Sequence, residues 1–376
     1  MSGIYLHIPF CKQACHYCNF HFSTTRHQQG ELVEMLRKEM ELRVDYLPGR
    51  RLSTIYFGGG TPSLLNEREL NGLFDTIYRL FSVDSRAEIT LEANPDDLTP
   101  AKLTELRKTP VNRLSVGIQS FFDEDLQLMN RAHNAEEAKV CINRARDAGF
   151  ATFTIDLIYG SPTTSDAQWV SNLHQAFALD IQHISCYCLT VEPRTALDHF
   201  VRQGKVSPVD EEQAARQFEL MLREMEAQGY EQYEISNFAR NGAYARHNTA
   251  YWQGKPYLGI GPSAHSYNGT SRQWTDANNA RYIRGMKEAQ NTMPKALYTR
   301  EEIDPITQYN EYIMTGLRTK WGVDPQQLAM PYQAYFHQEA ARHVRAGMMR
   351  IEEGNYVLTP AGRLIADRLT MDLFYD

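Results

Sequence analysis

The stretch Cys11-Lys12-Gln13-Ala14-Cys15-His16-Tyr17-Cys18 decides how this chain is read. It follows a short apolar run, Ile4-Tyr5-Leu6-His7-Ile8-Pro9-Phe10, and sets three cysteines at CxxxCxxC spacing. Three thiolates on one short loop can hold three corners of an iron–sulfur cube, a 4Fe–4S cluster, which four cysteines usually hold. With the fourth absent, one iron is open to an exchangeable small molecule. Disulfides fit poorly, because three clustered cysteines cannot all pair locally and no signal-peptide pattern precedes them. The competing reading is a structural zinc site, in which His16 or His21 would complete a Cys3His set.

Length and composition narrow the rest. A chain of 376 residues suggests one large domain plus a smaller one. Its 42% apolar content is that of an ordinary globular protein, and no run approaches a membrane span. The start, Met1-Ser2-Gly3-Ile4, passes straight into a strand-like segment, so a cytoplasmic protein is expected. A net charge of −7 argues against a dedicated nucleic-acid binder. Cys141, Cys186 and Cys188 have no partner spacing and read as buried free thiols.

Six β-rich runs recur along the chain: 4–8, 54–57, 88–92, 113–119, 152–158 and 183–189. Between them, 32–47, 67–81 and 167–179 carry apolar residues at helical intervals. This alternation predicts an α/β chain of parallel βαβ units. Six units make an open partial TIM barrel, (β/α)6, rather than a closed eight-fold one. In parallel barrels the reactive groups lie at the carboxyl ends of the strands. The polar residues here obey that rule. The second run ends in Gly58-Gly59-Gly60-Thr61-Pro62, the third in Glu92-Ala93-Asn94-Pro95, the fourth in Gly117-Ile118-Gln119-Ser120, and the fifth contains Asp156 before Tyr159-Gly160. Each alone could cap a helix or form a turn; together on the cysteine side they point to a shared site.

The cysteine spacing, with an aromatic directly before the third cysteine, resembles the radical S-adenosylmethionine (radical SAM) superfamily. The glycine turn, strand-end glutamate, VGxQS run and DLIxGxP run recur in this order in the anaerobic coproporphyrinogen III dehydrogenase (HemN) family. The resemblance implies a 4Fe–4S cluster on Cys11, Cys15 and Cys18. It implies a S-adenosylmethionine pocket lined by Tyr5, Tyr17, Gly59, Gly60, Thr61, Glu92, Gln119, Arg131 and Asp156. Arg131 would offer a planar donor to a carboxylate.

Beyond the barrel, 210–229 reads as a helix and 230–238 alternates like a strand. Next comes His247-Asn248-Thr249-Ala250-Tyr251-Trp252, then Tyr257-Leu258-Gly259-Ile260-Gly261-Pro262-Ser263-Ala264-His265-Ser266. The HNxxYW run resembles the HemW branch of the HemN family, a group of heme chaperones. That resemblance implies heme as a ligand, with His247, Tyr251 and Trp252 as candidate contacts, since imidazole ligates iron and rings stack on a porphyrin. Packing of His247 and Trp252 inside the fold is the competing reading. Two departures from the HemN pattern favour the chaperone branch. Phe20 stands where HemN proteins carry a further cysteine, and almost nothing precedes the first strand.

The last part reads as helices at 306–320 and 332–347, a hairpin at 349–358 turning at Gly354-Asn355, and a final helix capped by Thr359. This is a C-terminal α+β, winged-helix-like pattern. The expected division is 1–229 for the radical SAM core, 230–299 for a connecting region with the HNxxYW motif, and 300–376 for the C-terminal domain. The expected function is a heme chaperone that passes heme to an acceptor protein, membrane-associated or not, with no nucleic-acid partner. The alternative is a radical SAM oxidoreductase acting on a tetrapyrrole, and a regulator using the winged-helix-like tail is the third reading.

Overall fold

The computed structural model describes residues 2–376. Strands β1 (Ser2–Ile8), β2 (Arg51–Gly59), β3 (Ser82–Ala93), β4 (Arg113–Gln119), β5 (Phe153–Tyr159) and β6 (His183–Cys188) pair in chain order, each parallel to the next. The helices between them are α1 (Gln29–Leu42), α2 (Glu67–Leu80), α3 (Pro100–Leu106), α4 (Asp123–Leu128), α5 (Ala135–Asp147) and α6 (Asp166–Ala178). The expected open (β/α)6 barrel is therefore present. Its strands alternate as a two-residue period demands. Ile4, Leu6 and Ile8 of β1 and Ile55 and Phe57 of β2 are fully buried against the helices. The other face carries Tyr5, His7, Thr54, Tyr56, Glu88, Thr90 and Glu92, so the inside of the barrel is polar and aromatic.

The sheet does not stop at six strands. After α7 (Ala196–Arg202) and α8 (Glu211–Ala227), β7 (Glu231–Gln232) and β8 (Asn237–Ala239) form a small antiparallel hairpin on the edge of β6. The segment 230–238, expected as one strand, is split because the chain reverses between Tyr233 and Asn237, whose backbones bond to each other at 3.1 Å. At the opposite edge, α9 (Arg246–Trp252) leads into β9 (Tyr257–Ile260), which pairs parallel to β1. β10 (His265–Tyr267), β11 (Ser271–Thr275) and, after α10 (Asn279–Glu288), β12 (Tyr298–Glu302) continue antiparallel, giving a 12-stranded sheet.

The remaining residues have their own core. Tyr309, Ile313 and Leu317 of α11 (Pro305–Leu317) and Phe336 of α12 (Met330–Arg345) pack on the hairpin β13 (Met349–Glu352) and β14 (Asn355–Leu358). Helices α13 (Pro360–Arg363) and α14 (Ala366–Met371) close it, and Thr359 caps α13 through the Gly362 N–H. The hairpin turns at Glu353 and Gly354, with φ of 49° and 89°, one residue earlier than expected. Among the described residues no helix is long and apolar enough to cross a membrane.

A buried ion pair joins the added strands to the barrel. The Arg43 guanidinium donates to Glu39 at 2.8 Å, to the Gly259 carbonyl at 2.8 Å and to Ser266 Oγ at 2.8 Å. Glu39 in turn accepts from the Gly261 N–H at 2.8 Å and the Tyr282 hydroxyl at 2.6 Å. Glu39→Ala leaves Arg43 buried without its counter-charge. It should cost about 3–5 kcal/mol in urea unfolding, and Glu39→Gln, which keeps part of the hydrogen bonding, should cost less.

Candidate functional site

Local chemistry explains where the cysteine loop sits. The Cys11 N–H donates to the Ser23 carbonyl at 3.0 Å, and the Ser23 N–H donates to the Pro9 carbonyl at 2.9 Å, closing the loop at its root. The far side is pinned to the segment after α4: the His16 N–H donates to the Met129 carbonyl, and the Asn130 amide donates to the Ala14 carbonyl at 2.7 Å. Lys12 forms ion pairs with Asp96 and Asp97 beyond β3. The glycine turn crosses underneath. Gly60 donates to the Ile8 carbonyl at 2.9 Å, and a Cβ there would lie 2.7–2.8 Å from backbone atoms of Ile8 and Phe10. No side chain fits at that crossing.

Cys11, Cys15 and Cys18 are free, partly exposed thiols on this loop. Burial pushes Cys11 up to about 11, with Cys15 and Cys18 adding to the rise. Burial also raises Cys18. Such thiols keep their protons at neutral pH until a bound cationic centre removes them. Each candidate fourth zinc ligand has one ring nitrogen engaged: His16 Nδ1 with the Leu128 carbonyl at 2.8 Å and His21 Nε2 with Asn279 at 2.7 Å.

Arg131 ties the loop to the strand ends. One guanidinium nitrogen reaches Cys15 Sγ and the Tyr17 hydroxyl, each at 3.3 Å. The other donates to Asn94 at 2.6 Å and to the Gly117 carbonyl at 2.8 Å. Its Nε is buried without a partner, as are Gln119 Oε1 and Thr90 Oγ1. Gln119 ends β4 at φ 67°, a left-handed conformation costly for a non-glycine residue. Glu92 accepts from the Gly59 N–H at 3.1 Å and the Tyr56 hydroxyl at 2.7 Å. Burial, then the charge of Asp156, lifts Glu92 to about 7 despite these bonds. Burial also lifts Asp156 to about 6, with Ser185 and Arg131 opposing. Two acids, one cation and several unpaired polar atoms beside three thiols fit a zwitterionic ligand with hydroxyls, as S-adenosylmethionine is.

From Glu92, Gly59 and Tyr5 a cavity of about 830 Å³ opens away from the barrel. Its walls carry Phe20 from the cysteine loop, Tyr251 and Trp252 from α9, Tyr257, His265 and Tyr267 from the added strands, and Tyr309, Tyr312 and Tyr332 from the C-terminal part. The volume lies in the range of small-molecule and cofactor sites, about 300–1,000 Å³.

Comparison with known proteins agrees with this geometry. Residues 5–176 match the radical SAM superfamily and residues 303–365 match the HemN C-terminal domain. In solved structures, coproporphyrinogen III oxidase (HemN) from Escherichia coli, described there as a radical SAM enzyme, superimposes with a TM-score of 0.83 at 24% identity. The match covers 99% of this chain and 90% of that one. Among curated relatives, the heme chaperone HemW of Bacillus subtilis is 34% identical over 98% of both chains. The chain belongs to the HemW family of the radical SAM superfamily. The heme chaperone HemW of Escherichia coli is 36% identical over 70% of this chain and 69% of its own.

Within this HemW-family chain, Arg131 contacts Cys15 and Tyr17, Glu92 bonds the Gly59 N–H and feels the charge of Asp156, and Tyr5 lines the cavity with Gly59 and Glu92. The residues expected around heme divide. Tyr251 and Trp252 line the cavity. His247 does not: its ring is buried in the barrel, with Nδ1 paired to Thr54 at 2.8 Å and Nε2 to the Tyr251 hydroxyl at 2.7 Å. It stacks on Tyr56 at 4.9 Å, and burial lowers it to about 3. With both nitrogens engaged, the ring supports Tyr251 and Tyr56 in this structure. Sequence reasoning left His7, His265, Arg272 and the C-terminal tyrosines unassigned. His265 was visible in its run, and its alternation with Tyr267 across Ser266 was the usable signal.

The acids predict a pH dependence. Glu92 and Asp156 bind protons more tightly folded than unfolded, where they titrate at about 4. Their contribution to the stability of the ligand-free protein is therefore complete below about pH 4 and lost as pH rises through 6 to 7. Urea midpoints should fall between pH 5 and pH 8, and Glu92→Gln should flatten that fall.

Proposed function

We propose that this protein is a heme chaperone that carries heme in the aromatic cavity beside a radical SAM centre and hands it to an acceptor protein. The observation that carries this reading is the continuity of the cavity. One wall is the Glu92–Gly59–Tyr5 end of the barrel, and the other is the ring-rich face formed by Trp252, Tyr257, Tyr312 and Tyr332. A flat apolar macrocycle suits aromatic walls. The curated relatives named heme chaperone HemW support it.

In this reading Cys11, Cys15 and Cys18 would hold a 4Fe–4S cluster, with S-adenosylmethionine bound beside it. When bound, that pair supplies electron-transfer and radical chemistry. The chain's own residues position it. Arg131 fixes the loop and stays free at Nε for a carboxylate, the glycine turn allows close backbone approach, and Glu92 and Asp156 accept from hydroxyls or an ammonium. Phe20 presents a ring to the cavity where the dehydrogenases carry a thiol, which disfavours the oxidase alternative. We place the protein in the cytoplasm, with an acceptor that is either soluble or membrane-associated.

Anaerobic reconstitution followed by heme titration, with and without S-adenosylmethionine, tests the reading. The expected result is saturable, equimolar heme binding and release to an acceptor. Cys11→Ala, Cys15→Ala or Cys18→Ala should each abolish the brown cluster chromophore. Absence of heme binding, or formation of decarboxylated porphyrin from coproporphyrinogen, would overturn it. Full iron loading of the triple alanine variant would contradict the cluster assignment.

A further inference from the structure

Heme bound in this cavity needs a ligand for its iron, and an imidazole ligand needs a free ring nitrogen. Three histidines stand in or beside the cavity. His247 has both nitrogens engaged, with Thr54 and Tyr251. His7 lines the cavity, but its Nδ1 accepts from the Tyr5 hydroxyl at 3.0 Å and its Nε2 bonds the His21 carbonyl at 3.0 Å. His265 also lines the cavity, is solvent-accessible, and its ring makes no hydrogen bond among the described residues.

The position of His265 is set by strand register. β10 and β11 pair His265 with Trp274 and Tyr267 with Arg272. Alternation puts these four side chains on one face and sends Ser266, Ser271, Gln273 and Thr275 to the buried other face. Ser266 is held there by Arg43 at 2.8 Å and by the Gly259 N–H at 2.9 Å, so a one-residue slip, which would bury His265, is blocked. Gly259 makes the close return possible, because a Cβ there would lie 1.9 Å from the His265 carbonyl oxygen. The Trp274 ring stacks on the His265 ring at 5.9 Å with 21° between planes. The orientation of the imidazole is thus supported by packing, and its nitrogens are left for something in the cavity.

Resting on the heme-chaperone reading, we infer that His265 is a ligand of the heme iron, with Trp274 orienting its ring. Burial, and then the nearby Arg272 cation, oppose protonation of His265, which keeps the lone pair available. Arg272 itself lines the cavity on the same face, bonded to Glu311 at 2.6 and 2.9 Å.

The test uses the full-length, anaerobically reconstituted protein and the heme absorbance spectrum. His265→Ala should shift the Soret band and weaken binding, and free imidazole should restore the wild-type spectrum. His265→Cys should give a thiolate-type spectrum, which a purely structural role would not produce. If wild type binds heme and His265→Ala binds it with an unchanged spectrum, the ligand assignment falls and the chaperone reading stands. If wild type binds no heme, both fall. Loss of the wild-type spectrum in His247→Ala, with retention in His265→Ala, would also overturn the assignment.

Discussion

A six-stranded parallel barrel does not close, and its inner face here is polar. Unpaired polar groups inside a fold are costly. The structure answers with α9, which the Glu88 carboxylate from β3 receives at its start. Glu88 accepts from the Arg246 and His247 N–H groups at 3.0 and 2.9 Å and faces Arg113 at 3.4 Å. Gly3 leaves room for the His247 ring, since a Cβ there would lie 2.6 Å from Thr54 Oγ1 and 3.2 Å from that ring. One turn later the same helix delivers Tyr251 and Trp252 to the cavity. The helix that satisfies the barrel interior therefore also builds the wall of the binding site.

The site inherits its order from this plug. His247 stacks on Tyr56, and Tyr56 donates to Glu92, whose other oxygen holds the Gly59 N–H. The charge of Asp156 bears on Glu92, and Arg131 offsets the burial of Asp156 while contacting the cysteine loop. Packed rings and charged groups thereby connect the barrel interior to the cysteine loop. The cavity begins where this chain of contacts ends.

Much of the barrel was readable from residues 4–8, 113–119 and 183–189, because β-branched and apolar runs at βα spacing have few other uses. The strand-end residues Glu92, Gln119 and Asp156 were readable through the strand-end rule of parallel barrels. Strands β9–β12 were not, being three to five residues long and defined by distant partners. His247 shows the limit most clearly. A histidine in an HNxxYW run carries iron chemistry on paper, yet which of its nitrogens are taken depends on Thr54, far away in sequence. The same long-range dependence hid the cavity, since Tyr312 and Tyr332 meet Tyr251 only after both halves fold.

The claim at the centre is that heme sits between the barrel mouth and the C-terminal tyrosines, next to the cluster. Crystals of the reconstituted protein soaked with heme, measured at the iron absorption edge, would test it directly. The account predicts two anomalous features. One is a compact cluster at Cys11, Cys15 and Cys18, and the other is a single iron in the cavity bounded by Trp252, Tyr257 and Tyr312. A single iron found elsewhere on the protein, with the cavity free of heme, would contradict it.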